Sequence, residues 1–239
     1  MSETENGNST LRGNKLFGAL DEGELERLRP HLEVVALELK QVLYEADKPI
    51  EYVYFPIDSV SSVIATMEDG QAVEVGTIGN EGMTGLPVFL GAKTAPLTSF
   101  CQIPGKAIRM ASESLRAEVV PGSRLHELLQ RHTEATFVFA AQSSACNRLH
   151  SVEQRAARWL LHTHDRVDGG EFALTQEFLS QMLGVRRASV SAAAGALQGE
   201  GLIAYSRGNV RVLDRAGLEA RTCECYRVIR REFDRMIGD

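Results

Sequence analysis

Apolar residues along this chain keep a period of two over most of the first half and a period near 3.6 over most of the second. Residues 1–14, rich in Ser, Asn, Gly, Thr and Glu, offer almost nothing to bury and are expected to form a disordered tail. Asp21 stands as N-cap of a short helix with Leu25, Leu28 and Leu32 on its inward side and Pro30 near its end. From Glu33 to about Met110 short apolar runs recur. They are Val34–Leu39, Val42–Tyr44, Tyr52–Phe55, Val60–Thr66, Ala72–Ile78, Thr98–Ile103 and Lys106–Met110. Turn residues at Ala46–Pro49, Pro56–Asp58 and Glu68–Gly70 separate them. Runs of this spacing predict an antiparallel β-roll, a double-stranded jelly roll, over residues 15–120. The rhythm breaks over Gly79–Leu90, where a short helix fits, and Ser112–Val119 reads as another.

Past Pro121-Gly122 the period lengthens, and one long helix is expected over residues 123–150. Leu125, Leu128, His132, Ala135, Phe139, Gln142, Cys146 and Leu149 alternate by three and four, which is heptad spacing. These eight are read as a dimer seam, with packing against the helix's own domain as the alternative. The domain assignment is therefore a roll, a dimerisation helix at 121–150, a third domain at 151–213 and a C-terminal helix at 214–239. Ser151 and Gln154 form a capping box, a fresh start that marks a hinge. Ala156, Trp159, Leu160 and His164 line one side of the helix that follows. Asp168-Gly169-Gly170 ends that segment, and Phe172–Leu174 could pair as a small strand.

The stretch Leu174–Leu213 carries the strongest functional signal. Thr175 is an N-cap, and Gln176 and Glu177 fill the first turn of a helix that would bury Phe178, Met182 and Leu183. Gly184 stops it, because glycine enters a left-handed turn without steric cost. A second helix from about Arg187 to Gln198 would turn Val190, Ala193, Ala194 and Leu197 inward, ending at Gly199 and Gly201. Two short strands, Leu202–Tyr205 and Val210–Leu213, flank a hairpin turn at Ser206–Asn209. Helix, tight turn, helix and hairpin make a winged helix-turn-helix, a module that lays its second helix in the major groove of double-stranded DNA. Packed helices with a hairpin and no DNA function would show the same pattern, so the arginines decide. Arg186 and Arg187 open the second helix and Arg207 tips the wing. With Ser189, Ser191, Thr175 and Gln176 they are the candidate DNA-binding residues.

Charge sharpens this. The chain has 239 residues and a net charge of −6, but residues 1–150 carry a balance of −7 and residues 151–239 one of +1, with 13 Arg against 12 acids. Local charge governs phosphate contact, so the acidic total does not exclude nucleic acid. A composition of 44% hydrophobic and 24% charged residues is that of a globular protein. No apolar run reaches membrane-spanning length and residues 1–14 are too polar for a signal peptide, so a cytoplasmic protein without membrane contact is expected. Four cysteines, Cys101, Cys146, Cys223 and Cys225, fit a reducing compartment.

Asp214 is expected to cap a single last helix over Arg215–Ile237, with Leu218, Cys225, Tyr226, Ile229, Phe233 and Ile237 on one side. Its outer face carries Arg221, Arg227, Arg230, Arg231 and Arg235 among acids. A solvated, salt-bridged face is the favoured reading, and contact with DNA or polymerase the other.

The order of parts, with VLYEADKPIEYVYFPIDSVSS (Val42–Ser62) and LTQEFLSQMLGVRRASVSAAAGALQGEGLI (Leu174–Ile203), resembles the Crp/Fnr family of bacterial transcription regulators over about Leu16–Leu213. The resemblance implies an α+β homodimer whose roll senses a signal and whose winged domains bind a palindromic promoter site, with RNA polymerase as a further partner. It also locates departures. Family recognition helices begin Arg-Glu with a second Arg one turn on. Here Arg187 matches, while Ala188 and Ala192 remove a cytosine acceptor and a guanine donor pair. A site unlike that of the cyclic-AMP receptor is therefore expected, with Arg187 as the leading base contact and Arg186 and Ser189 on phosphates. In the nucleotide pocket Met83 stands where a ribose-binding glutamate belongs, beside Gly85. Leu97-Thr98 replace the Arg-Ser pair, with no arginine between Gly79 and Ile108. A cyclic phosphate would lack its guanidinium, so control by cyclic AMP in the usual way is not expected, and the effector is left open.

Other chemistries find little support. Residues 1–100 contain no cysteine for an N-terminal iron–sulfur cluster. Cys223 and Cys225, two apart on one helix, would point to different sides and are read as ordinary helix residues. His126 and His132 are read as packed or solvated rather than haem ligands. A cupin-like enzyme needs clustered histidines on strands, and His31 is the only one before His126. No enzyme activity, metal or cofactor is expected. The alternative function is a ligand-sensing interaction protein whose winged domain binds protein rather than DNA.

Overall fold

The structure is a computed structural model that describes residues 8–167 and 170–238. The expected chain break at Asp168-Gly169 and the first seven residues of the expected tail lie outside the described residues. The chain divides into two compact units. One holds the chain up to Val63, Thr77–Phe137 and Glu232 onward; the other holds Ile64–Gly76 and Val138–Arg231.

In order, the elements are α1 (Lys15–Gly18), α2 (Glu22–Leu28), a 3-10 turn (Arg29–His31), β1 (Leu32–Leu37), β2 (Val42–Tyr44), β3 (Tyr52–Pro56), β4 (Val60–Thr66) and β5 (Ala72–Ile78). Then come α3 (Leu86–Phe89), β6 (Thr98–Ile103), β7 (Gly105–Ala111), α4 (Ser112–Glu118) and the long α5 (Arg124–Leu149). The strands form a three-stranded sheet, β1-β7-β3, and a four-stranded one, β2-β6-β4-β5. Registers run antiparallel from Leu32↔Met110 to Leu37↔Gly105 and from Tyr52↔Ala111 to Pro56↔Ala107. The expected roll is present. Its core is built from Phe17, Leu25, Leu28, Val53, Phe55, Ile108, Met110 and Leu115, with Phe17 edge-on to Phe55 at 4.8 Å.

The expected tail is shorter than its composition suggests. Residues 8–11 form a helical turn that buries Leu11. Asn14 is fully buried, caps α1 by accepting from the Leu16 N–H, and donates its amide to the carbonyls of Pro56 (2.8 Å) and Gly82 (3.0 Å). One polar side chain with three partners anchors a segment that has few apolar residues. Leu32, expected on the α2 stripe, begins β1, because Pro30 tightens the chain into the 3-10 turn first.

The heptad stripe of α5 needs a correction. Leu125, Leu128, His132, Ala135, Phe139 and Cys146 are buried within their own chain, and Gln142 is half-buried. The last of the eight, Leu149, is exposed. His132 takes the Met83 N–H at its Nε2 (3.2 Å) and lies 6.3 Å from the Phe233 ring. This stripe is the inward face of the helix, so its side chains are already occupied in one chain. The open face is Gln130, Glu134, Phe137, Ala141, Ser144 and Arg148, where Phe137 is 74% exposed.

The chain continues with α6 (Val152–His164), β8 (Glu171–Ala173), α7 (Gln176–Leu183), α8 (Arg187–Gly199), β9 (Ile203–Ser206), β10 (Asn209–Val212), α9 (Arg215–Arg221) and α10 (Cys225–Ile237), whose residues from Glu232 belong to the first unit. The Ser151–Gln154 capping box is formed. α6 is buried on nearly all sides from Arg155 to Thr163. Trp159 donates to Glu74 on β5 at 2.8 Å. The single last helix expected over Arg215–Ile237 is two. Thr222 is extended and ends α9, and α10 starts at Cys225.

Candidate nucleic-acid interface

α7 begins as its sequence demands: the Thr175 hydroxyl accepts the Phe178 N–H at 3.1 Å. Its buried face is Leu179, Met182 and Leu183. Phe178, expected inward, is half-buried and edge-on to Trp159 at 6.4 Å; Leu179, one position on, takes its place. Gly184 ends α7 at φ +61°, and a Cβ there would also press to 3.2 Å on Val73. Both facts make a side chain there costly. α8 buries Val190, Ala193, Ala194 and Leu197, as its spacing requires. Two alanines in that set let α8 lie close to its neighbours, and Val190 and Leu197, fully buried, fill the remaining space. The wing turn is of the mirror-image hairpin kind, with Arg207 at φ +50° and Gly208 at +80°. β10 pairs with β9 from Asn209↔Ser206 to Val212↔Ile203, and β8 pairs with β10 on its other edge.

These elements bring most of the candidate residues to one concavity. Thr175 and Gln176 from α7, Arg187 and Ser191 from α8, and Arg207 from the wing all line it, with Gln198, Tyr205 and Ser206. The Ser191 hydroxyl donates to the Gln176 side-chain oxygen, tying the two helices together at the floor. Arg186 is exposed just outside, as the N-cap residue of α8 with no capping duty for its side chain. Ser189 is half-buried on the first turn, and Ala188 and Ala192 are exposed.

Charge pairing separates this surface from the paired arginines of α9 and α10. Among the described residues, Arg186, Arg187 and Arg207 make no ion pair. Several arginines of α9 and α10 are engaged: Arg215 with Asp165 (2.6 Å) and Glu219 (2.9 Å), and Arg221 with Glu153 and with Glu200 (2.9 Å). Arg230 lies 3.8 Å from Glu219, and Arg235 pairs with Glu134 and Glu232. α9 and α10 thus carry salt-bridged arginines, whereas the concavity holds guanidinium groups without an ion pair that match phosphates and base edges.

Sequence reasoning missed Tyr205. It stands on β9 with its N–H held by the Gln198 side-chain oxygen at 2.9 Å and its hydroxyl buried without a hydrogen-bond partner. Burial pushes the phenol up to about 12, with Arg187 pulling the other way. A buried hydroxyl beside Arg187 is a donor awaiting an acceptor. An aromatic residue before the wing turn was the available signal.

The four positions that correspond to the family's nucleotide pocket hold no cationic residue. Met83 is buried, and its N–H is engaged by His132. Gly85 takes φ +98° ahead of α3. Thr98 accepts the Ala46 N–H at 3.1 Å, and Leu97 is half-buried. Arg109 pairs with Glu33 at 2.6 Å and lies over the Tyr52 ring.

A family described as the Crp-like helix-turn-helix domain matches residues 154–221. No curated protein sequence matches the chain. Among solved structures, FixK2 from Bradyrhizobium japonicum superposes with a TM-score of 0.69 at 18% identity, covering 80% of this chain and 98% of its own. The c-di-GMP-responsive global regulator CLP of Xanthomonas campestris gives 0.64 at 16%, covering 80% and 99%. A Crp/Fnr-family transcriptional regulator from Thermus thermophilus gives 0.62 at 19%, covering 79% and 97%. No helix among the described residues is long and apolar enough to cross a membrane.

Proposed function

The chain has the fold of the Crp/Fnr transcription regulators and carries a Crp-like helix-turn-helix domain, and from that premise we propose that it is a cytoplasmic homodimer binding a palindromic promoter site in double-stranded DNA. The observation that carries this reading is the concavity in which Arg187 and Arg207 meet Thr175, Gln176 and Ser191 with no carboxylate to neutralise them. α8 enters the major groove by its first turn. Arg187 reads a base, Tyr205 backs it, and Arg186, Ser189 and Arg207 hold phosphates. Exposed Ala188 and Ala192 contribute no hydrogen bonds to bases, so DNA shape supplies part of the selectivity. Homodimerisation uses the open face of α5 around Phe137. RNA polymerase is the partner through which binding alters transcription. The roll receives its signal without a cyclic phosphate, since none of Met83, Gly85, Leu97 and Thr98, which stand at the positions that would hold one, is a cation.

Arg187→Ala removes a base contact worth about 1–3 kcal/mol, roughly a ten- to hundredfold loss of affinity for the preferred site in each half. Gel-shift titration on a site recovered by genomic pull-down checks this. Unchanged preference in the variant, or no preferred site for the parent protein, defeats the proposal. Binding of a protein to the same surface, with no DNA bound, would favour the interaction-module alternative.

A further inference from the structure

The break between α9 and α10 has a chemical consequence. On one continuous helix Cys223 and Cys225 would be separated by about 200° around the axis. With the helix broken at Thr222 both turn inward, and they meet Cys146 and His150 from the end of α5. The three Sγ atoms and a ring nitrogen of His150 all lie within 4.8 Å of one another. Cys146 Sγ is 3.5 Å from Cys223 Sγ, and Cys225 Sγ is 3.6 Å from His150 Nδ1. Tetrahedral zinc, with Zn–S of about 2.3 Å and Zn–N of about 2.0–2.1 Å, holds its ligand atoms roughly 3.5–3.8 Å apart.

From this we infer that Cys146, His150, Cys223 and Cys225 form a closed four-coordinate site for one thiophilic divalent cation, zinc by ligand type and spacing. The surroundings are those of a metal site. His150 Nε2 lies 3.4 Å from the Glu224 carboxylate, the partner that orients the ring and leaves Nδ1 to the metal. The Gln142 amide donates to Cys225 Sγ at 3.2 Å. All three thiols are buried. Three thiolates around a dication carry one net negative charge, and α6 supplies the counter-charge. Arg155 and Arg158 are both buried, each has an Nε with no hydrogen-bond partner, and both interact electrostatically with Cys146. Four protein ligands leave no open position, so the ion is structural: it fastens the α9–α10 junction to the end of α5. The span suits a single ion, since an iron–sulfur cluster keeps its thiolates farther apart around its own bridging sulfides.

The test is metal content of the full-length protein, purified under reducing conditions without a metal-binding tag. Plasma mass spectrometry is expected to find one zinc per chain. Cys223→Ser and Cys225→Ser lose it, while Cys101→Ser, which changes a cysteine of the roll, keeps it. Should the first two variants fold poorly, the parent protein stripped with a thiol-blocking mercurial and restored with thiol takes up one cobalt(II), with thiolate-to-cobalt charge transfer and tetrahedral d–d bands. Removing the ion lowers the melting temperature. A metal-free protein with four free thiols, a Cys146–Cys223 disulfide, acid-labile sulfide, or zinc retained in the cysteine variants overturns the assignment. The readout involves no DNA, so it stands or falls apart from the regulatory reading.

Discussion

His162 shows how one buried side chain sets a solution property of the second unit. It is enclosed on α6 between the rings of Phe139 (5.9 Å) and Tyr226 (5.1 Å), and its Nε2 has no hydrogen-bond partner. Burial holds its pKa well below the ordinary value, and Arg166 and Arg158 push it the same way. The folded chain keeps this imidazole neutral, while the unfolded chain takes a proton near pH 6.5. As pH falls through that value the unfolded state binds the extra proton, so stability is lost until the folded pKa is reached, at up to about 1.4 kcal/mol per pH unit. Melting temperatures between about pH 7 and pH 5 should therefore fall, and His162→Gln should flatten the slope. His164, also lowered by burial and by Arg215, leaves a residual slope. An unaltered slope in His162→Gln would show that the proton is taken elsewhere. At this scale Thr175, Gly184 and Val190 were legible in the sequence, because caps, left-handed turns and helical spacing are local rules. Tyr205 and Asn14 were not, since a hydroxyl or an amide becomes informative only once its distant partners are known.

At the scale of elements, α5 separates pattern from partner. Heptad spacing tells which residues of a helix face apolar surroundings, and it does not tell whose. Leu125 to Cys146 face their own chain, so the partner helix of the proposed dimer would meet the opposite side, where Phe137 stands exposed. Phe137→Asp should leave the chain folded and make it a monomer, with a large loss of affinity for a two-half site. Leu128→Asp should unfold the roll instead, since it places a charge in a fully buried position. Light scattering coupled to size exclusion, with circular dichroism, distinguishes these outcomes. A dimer that survives Phe137→Asp moves the interface elsewhere. The other element misread was the last helix. Apolar spacing continues across Thr222–Glu224, so periodicity alone could not show the break. The two-residue spacing of Cys223 and Cys225, awkward on one helix, was the clue.

For the whole molecule, the order of roll, long helix and winged module was readable because the hydrophobic period changes from two to near 3.6 past Pro121-Gly122 and a capping box at Ser151 starts a new helix. The acidic balance of the first 150 residues and the unpaired arginines that line the concavity are what the proposal of nucleic acid at the winged module rests on. The most direct test of that account is selection of bound DNA from a random library by the full-length protein. It should return a palindrome with half-sites centred about 10 base pairs apart, one helical turn. The same selection with Arg187→Ala should lose the enriched base in each half while keeping weak, salt-sensitive binding. Recovery of no common sequence by the parent protein, or of the same palindrome by the variant, would contradict it.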